Sequence, residues 1–319
     1  EGFKVKGKSV TFEVVAEDDR ANADTGKEVA QQLVDAGVVA VIGHLNSGVS
    51  IAAAPIYAAK GIPQLAISTN PKYTELGLGT TFRLVANDNL QAKAIGSYSA
   101  SQFSGTKFAL LDDGTPYGKD LAAGAGTQLK AAQQEVVLQQ SFDDKTTKFE
   151  EVAAKIKETG VEVVVSTLND FQIVALLDAL KAISYSNIKV LGGDTIKTTL
   201  MLKGAGVTSG LFATSPILEA REFTAGGAFL DKYRAKYKIE PAYAGHYTYD
   251  AMYVLAGAIR RGESAKPQDI TATLKKIDGY APVTGSMKWD DKGEQRYGVI
   301  GVYSANGGLW ESQMRSDNW

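Results

Sequence analysis

The sequence predicts an α/β protein of mostly parallel sheets flanked by helices, and three observations carry that reading. Short apolar runs alternate with helical patterns of about ten to fifteen residues, the signature of repeated βαβ units. Residues 161–166 are apolar apart from Glu162, as befits a strand buried on both faces of a parallel sheet. Two strands end in small polar residues. Val38-Val39-Ala40-Val41-Ile42 runs into Gly43-His44-Leu45-Asn46-Ser47-Gly48, and a second run ends in Ser68-Thr69-Asn70-Pro71. An Ala-rich helical stretch, 49–60, lies between them and stops at Gly61-Ile62-Pro63. Strand, polar turn, helix, strand, polar turn is the order by which an open α/β sheet puts hydroxyls and helix N-termini at the carboxyl ends of its strands. Such a crevice suits a small anion or zwitterion.

The elements follow in order. Residues 10–16 read as a mixed strand, and 25–36 as a helix with Val29, Leu33 and Val34 on its packed face. After the segment just described come a helix at 90–103, a strand at 107–111, a helix at 118–132 and a strand at 135–139. Residues 149–158 form a helix with Val152, Ala153 and Ile156 on one face, and the helix at 171–183 follows the 161–166 strand. Residues 189–191, 198–203 and 211–214 continue the alternation. The pattern then shifts to three helical stretches, 222–237, 247–262 and 267–277. Residues 283–310 read as strands joined by the turns Asp290-Asp291-Lys292-Gly293 and Ser304-Ala305-Asn306-Gly307-Gly308. Ser104-Gly105-Thr106 interrupts the earlier pattern and marks a boundary between two lobes, as expected of a chain longer than one core of about 150 residues supports.

Composition narrows the function. With 44% hydrophobic and 22% charged residues the chain is of ordinary globular character. A formal net charge of −2 without a Lys/Arg block argues against nucleic acid or an anionic membrane surface as partner. No apolar run reaches the roughly 18 residues that span a bilayer. The absence of cysteine rules out a disulfide, a thiolate nucleophile and a zinc–thiolate site, and is compatible with an oxidising compartment. The chain opens at Glu1 with neither a charged nor an apolar leader region, so any export signal is expected to have been removed or never to have existed.

Ser47 stands where a strand hands over to a helix, so its hydroxyl and the backbone N–H groups after it converge. A helix N-terminus carries about half a positive charge and favours a carboxylate there by roughly 0.3 to 1 kcal/mol. Together with Ser68 and Thr69 it forms a candidate anion site, the alternative being an ordinary N-cap. A nucleophilic role fails because Leu45-Asn46-Ser47-Gly48-Val49 lacks the Gly-x-Ser-x-Gly elbow, and only His44 and His246 exist as bases. Both histidines are expected to serve structure. The pairs Asp18-Asp19, Asp112-Asp113, Asp143-Asp144 and Asp290-Asp291 have no calcium-loop spacing and are read as solvated turn carboxylates. Asp194, in Leu191-Gly192-Gly193-Asp194-Thr195, is a single carboxylate at a strand's carboxyl end beside two glycines that permit close approach. It is either the counter-charge for an ammonium or a helix N-cap. The glycine-rich stretch from Gly204 to Gly210 has the wrong spacing and context for a dinucleotide loop, and no P-loop lysine motif is present. No metal, cofactor or catalytic set is expected.

Several motifs in one order resemble the leucine/isoleucine/valine-type solute-binding proteins of bacterial ABC transporters. They are Val41-Ile42-Gly43-His44-Leu45-Asn46-Ser47-Gly48, Gly61-Ile62-Pro63, Ser68-Thr69-Asn70-Pro71, Thr81-Phe82-Arg83-Leu84, Asp112-Asp113-Gly114-Thr115-Pro116-Tyr117-Gly118, Tyr249-Asp250-Ala251, Val283-Thr284-Gly285 and Trp289-Asp290-Asp291-Lys292-Gly293. The resemblance implies a two-lobed clamshell of the type I periplasmic-binding fold, with 1–104 plus 219–296 as first lobe and 105–218 plus 297–319 as second. It implies that Ser47, Ser68 (through its backbone) and Thr69 hold an amino acid's α-carboxylate, while the second lobe supplies Tyr117 near the ligand and Asp194 for the α-ammonium. Closure then gives the ligand differential affinity for the shut state.

Two departures accompany the resemblance. An aromatic often follows the family's equivalent of the 161–166 strand, whereas here Leu168-Asn169-Asp170-Phe171 follows, which implies a side-chain pocket that is more polar or differently shaped; Asn169 either bonds the ligand or caps the next helix. The family's opening strand, Gly-containing loop and long helix have no counterpart ahead of the segment that begins at Glu1, so the first sheet is expected to be one strand short. The expected function is non-enzymatic: an exported, periplasmic or otherwise extracytoplasmic receptor that delivers an amino acid or related small carboxylate to an ABC permease. The alternative is a ligand-sensing domain of the same fold that acts in signalling on a non-amino-acid carboxylate.

Overall fold

The computed structural model describes residues 2–204 and 210–318. It divides into two compact units, Glu1–Asn87 with Leu218–Gly298, and Asp88–Ile217 with Val299–Trp319. The first crossover therefore falls at Asn87 and Asp88 and not near Ser104. The physical reason is helix packing: the helix that begins at Asp88 lies along the helix that begins at Pro116, so it belongs with the second unit.

The first unit opens with the antiparallel ribbon β1 (Phe3–Val5) and β2 (Lys8–Val10). The strand expected over residues 10–16 stops at Val10, because no neighbouring segment supplies residues 11–16 with a hydrogen-bond ladder among the described residues. Helix α1 (Ala23–Asp35) starts at Asn22, whose side chain accepts the N–H groups of Asp24 and Thr25 at 3.0 Å each. Its buried face of Val29, Ala30 and Leu33 packs with Val41, Ala53, Tyr57 and Ile62. Strand β3 (Val41–Ile42), helix α2 (Ser47–Ala58), strand β4 (Gln64–Ala66), the short helix α3 (Lys72–Glu75) and strand β5 (Thr81–Arg83) follow. The three strands form a parallel sheet in the order β3-β4-β5, so the loops after β3 and β4 leave the same edge.

The second unit continues with α4 (Asp88–Gln102), β6 (Lys107–Asp112), α5 (Pro116–Ala131), β7 (Glu135–Ser141), α6 (Glu150–Thr159), β8 (Val163–Ser166), α7 (Asp170–Ala182), β9 (Lys189–Gly192), α8 (Thr199–Gly204) and β10 (Leu211–Ser215). The chain then returns to the first unit for α9 (Gly226–Tyr237), α10 (Gly245–Gly262), α11 (Pro267–Leu274) and the ribbon β11 (Gly279–Ala281) with β12 (Gly285–Met287). It ends in the second unit with the hairpin β13 (Gly301–Asn306) and β14 (Leu309–Arg315).

The second unit's sheet runs β14-β13-β10-β9-β8-β6-β7, parallel from β7 to β10 and closed by the antiparallel terminal hairpin. Strand β8 is buried at all four positions, as its unbroken apolar sequence requires. Helices α6 and α7 supply Val152, Ile156, Ile173, Leu176 and Leu180 to a core shared with Val164 and Val190. Because β7 and β8 lie on opposite sides of β6, the strand order reverses at β6, and the loops leaving β6 and β8 diverge there. Crevices at such reversals, outside the carboxyl ends of the strands, are where α/β sheets bind ligands.

Candidate ligand-binding site

In the first unit, the polar loops after β3 and β4 meet. Asn46 occupies the N-cap of α2, which leaves Ser47 as the first helical residue, 3% exposed, with its Oγ accepting the Asn70 N–H at 3.2 Å. Ser47 therefore ties the two loops together and is not the cap. Ser68, 2% exposed, donates its hydroxyl toward the carbonyls of His44 and Leu45 at 3.1 Å each and lies against the Ser50 hydroxyl. Its side chain is thus committed to the loop, and what it can offer a ligand is backbone. Thr69 is 4% exposed, and neither its N–H nor its hydroxyl has a hydrogen-bond partner among the described residues. Donors left without a protein partner are available to an acceptor from outside the chain. With the N-terminus of α2 alongside, this corner is suited to an anion.

Beneath the corner lies a residue whose role sequence reasoning missed. Arg83, at the end of β5, is wholly buried and pairs with Glu294 at 2.9 Å. It also donates to the carbonyls of Ser68 and, at 2.9 Å, Asn70. Arg83 was visible in the Thr81-Phe82-Arg83-Leu84 motif, but nothing local marks a contact to a carboxylate 211 residues away.

In the second unit, Tyr117, Asn169 and Asp194 stand just beyond the carboxyl ends of β6, β8 and β9. Thr115 caps α5 by accepting the Gly118 N–H at 3.0 Å, which sets Tyr117 in the first turn. The Tyr117 hydroxyl donates to Asp194 Oδ1 at 2.9 Å, and Gln91 Nε2 donates to the same oxygen at 3.0 Å. Burial above all, with the Asp194 charge second, pushes the Tyr117 phenol well above its ordinary range, so it stays a donor. Position 193 has to be glycine for this contact, since a Cβ there would stand 2.2 Å from the Tyr117 hydroxyl. Gly193, and not Asp194, holds the N-cap position of the short 3₁₀ turn that follows, so the Asp194 carboxylate is not a cap and is aimed by two side-chain donors.

Asn169 takes the capping alternative. It is the N-cap of α7, its N–H donates to Gln172 Oε1 at 3.1 Å, and its amide donates to Asp113 Oδ2 at 3.3 Å. Gln91 was overlooked because its partner lies 103 residues away in sequence.

The remaining polar groups serve structure. His44 bonds Asp19 at 2.6 Å and Tyr57 at 3.1 Å, and His246 reaches the Leu218 carbonyl at 3.0 Å amid Phe223, Phe229 and Tyr247. Asp112 and Asp113 are not solvated turn carboxylates. They are 7% and 3% exposed, and hold the loop after β6 by accepting from Gly114 and Thr115. Asp143, Asp144 and Asp291 are exposed, as expected of turns, whereas Asp19 is drawn in by His44. Among the described residues no group of three or more His, Asp or Glu is arranged to hold a metal ion. A surface cavity of about 440 Å³ beside the second unit's site is rimmed by Asp113, Asp143 and Asp144 with one lysine, Lys119, and that acidic lining is unsuited to a carboxylate. The glycine-rich loop set aside above includes 205–209, which lie outside the described residues.

The family profile described as periplasmic binding protein matches residues 1–308. The chain belongs to that family. A relative named Leu/Ile/Val-binding protein homolog 1, from Brucella abortus (strain 2308), is 31% identical to this periplasmic binding protein over 292 residues, covering 88% of this chain and 75% of the relative. The leucine binding protein LivK of Thermotoga maritima shares the fold with a TM-score of 0.88 at 21% identity, over 99% of this chain and 91% of that one. The solute binding protein of an ABC transporter from Rhodopseudomonas palustris BisB5, solved with 3,4-dihydroxy benzoic acid, shares it with a TM-score of 0.83 at 19% identity, over 98% and 87%. The fold is therefore the type I periplasmic-binding fold, and no helix among the described residues is long and apolar enough to cross a membrane.

Proposed function

We propose that this periplasmic binding protein captures an amino acid outside the cytoplasm and presents it to an ABC permease, without turning it over. Ser47, the backbone at Ser68, and Thr69 receive the α-carboxylate. Asp194, aimed by Tyr117, receives the α-ammonium, and Asn169 shapes the wall near Asp113 through its amide. A zwitterion that satisfies both sets favours the ligand-bound state, the one a permease distinguishes from the empty one.

The observation that carries this reading is the Asp194 carboxylate, held at 2.9 and 3.0 Å by two donors at the carboxyl end of β9. A receptor for a plain carboxylate has no need of a carboxylate here, since like charges repel. The Leu/Ile/Val-binding relative from Brucella and the leucine binding protein of Thermotoga support an amino acid with an aliphatic side chain. The benzoate-type ligand of the Rhodopseudomonas protein is the competing class, and it lacks an ammonium.

Isothermal titration tests the choice, on protein unfolded and refolded to remove carried-over ligand. L-leucine, L-isoleucine and L-valine are expected to bind at micromolar or lower concentration, with 4-methylpentanoate and benzoate far weaker. Binding of benzoate in preference to every amino acid would overturn the assignment of Asp194 and return the reading to a carboxylate receptor.

A further inference from the structure

We infer that Arg83 and Glu294 form a positioning pair that sets the backbone of the 68–70 turn, so that the Thr69 N–H is held outward for an anion that neither residue touches. The inference rests on the proposed role of that turn in receiving a carboxylate, and deepens it.

Arg83 spends its guanidinium on the turn from one side. Nη1 donates to the Ser68 carbonyl, and Nη2 donates to the Asn70 carbonyl at 2.9 Å and to Thr74 Oγ1 at 3.1 Å. In a trans peptide the C=O and the following N–H point in opposite directions. Drawing the Ser68 carbonyl onto Arg83 therefore turns the Thr69 N–H away from it. That N–H, like the Thr69 hydroxyl, has no partner among the described residues. The Asn70 N–H is left to donate to Ser47 Oγ, which locks the turn to the first residue of α2.

Glu294 holds the fork from behind. Arg83 Nε donates to Glu294 Oε2 at 3.0 Å and Nη2 donates to Oε1 at 2.9 Å, a two-point contact that fixes the plane of the guanidinium. The same distant segment grips the Arg83 backbone. The Arg83 N–H donates to the Gly293 carbonyl at 2.9 Å, and the Trp289 indole donates to the Arg83 carbonyl at 2.6 Å. A buried arginine held at front and back cannot swing, and its five donors transmit that rigidity to the turn. Lysine carries the same charge but has no planar fork.

The test is amide hydrogen exchange by NMR on the full chain, comparing wild type with Arg83→Lys and Glu294→Gln. Asn70, whose N–H bonds Ser47, reports the turn. Leu84, whose N–H donates to the Ala66 carbonyl at 2.8 Å in the same sheet, reports the unit's overall stability. The pair is expected to matter locally: Asn70 exchanges at least tenfold faster in both variants, while Leu84 changes less than twofold. Equal acceleration at the two amides would mean general destabilisation and would overturn the inference, as would unchanged exchange at Asn70. Should Arg83→Lys fail to fold, Glu294→Gln alone decides, because the buried guanidinium remains. A parallel titration with L-leucine separates the two claims. Wild type that does not bind L-leucine counts against the amino-acid reading, whereas the exchange ratio judges the positioning pair without any ligand.

Discussion

The Tyr117 hydroxyl sits 2.9 Å from Asp194 Oδ1, and it reaches that oxygen across a position where any side chain would obstruct it, since a Cβ on residue 193 would come within 2.2 Å of the phenol. Two elements far apart in sequence, the first turn of α5 and the end of β9, are brought to one carboxylate by the parallel order of the sheet. The contact makes the second unit's half of the proposed site directional.

Asp194→Asn keeps an acceptor for Tyr117 and removes the charge. Binding of L-leucine is expected to weaken by about 2 to 5 kcal/mol, the usual loss when one member of a buried charge pair is removed. Binding of 4-methylpentanoate, the same skeleton without the ammonium, is expected to hold or improve. Titration of both ligands checks this, and an equal loss for the two would place Asp194 away from the ammonium.

Ser47 and Thr69 differ in what else they do. Thr69→Val deletes a hydroxyl with no partner among the described residues and fills the same space, so unfolding free energy should stay within about 0.5 kcal/mol of wild type. Carboxylate binding should still fall by roughly 1 to 3 kcal/mol, the worth of a hydrogen bond to a charged group. Ser47→Ala should weaken binding similarly and also lower stability by about 1 kcal/mol, because the Asn70 N–H loses its acceptor. Urea unfolding beside calorimetric titration separates the two effects. A Thr69→Val protein with unaltered affinity would remove that hydroxyl from the site.

Burial raises the Asp113 carboxyl above its ordinary value, against the opposing hydrogen bonds from Thr115. The folded chain then holds the proton more readily than the unfolded one, so this group's contribution to stability falls as pH rises from the ordinary carboxylate value through the raised one. Relative to Asp113→Asn, wild type should gain stability as the pH is lowered from 7 toward 4. Urea unfolding at the two pH values measures the difference, and a gap that does not change with pH would show that the carboxylate pays no burial cost.

Gly293 adopts φ +91°, and a Cβ there would fall 1.9 Å from the Thr81 carbonyl oxygen. Gly293→Ala should therefore cost about 3 kcal/mol or more, through backbone strain and a contact that only main-chain movement can relieve. Denaturant unfolding gives the number, and a loss below about 1 kcal/mol would mean that the 290–294 turn shifts freely. Such a shift would also loosen the grip of Glu294 on Arg83.

How far the site could be read in advance depended on the reach of each contact. The placement of Ser47, Ser68 and Thr69 just past strand ends was legible because strand ends and helix starts leave local marks: small polar residues, a glycine, then an apolar helical run. The same local logic left Asn169 open between cap and ligand contact, and its bonds to Gln172 and Asp113 place it at the cap. Asp112 and Asp113 were misjudged, since a pair of acids before Gly-Thr-Pro reads as a solvated turn and only the packing of the loop beneath it shows both to be buried. The strand expected over residues 10–16 stops at Val10 for a related reason. Alternation shows that a strand is possible, but a strand exists only where a neighbour completes its ladder.

The sequence by itself determined the α/β class, the order of nearly every helix and strand, the polar character of the strand ends and the family resemblance, because each of these is written in periodicities and motifs a few residues long. Tertiary structure decided which unit owns α4, that Asp194 is aimed by Tyr117 and Gln91, and that Arg83 and Glu294 grip the turn around Thr69. Those relationships join residues between 77 and 211 positions apart, or, for Arg83 and its turn, depend on one strand's exact end against another's. Their energy comes from burial and hydrogen-bond direction, and neither exists until the chain has packed.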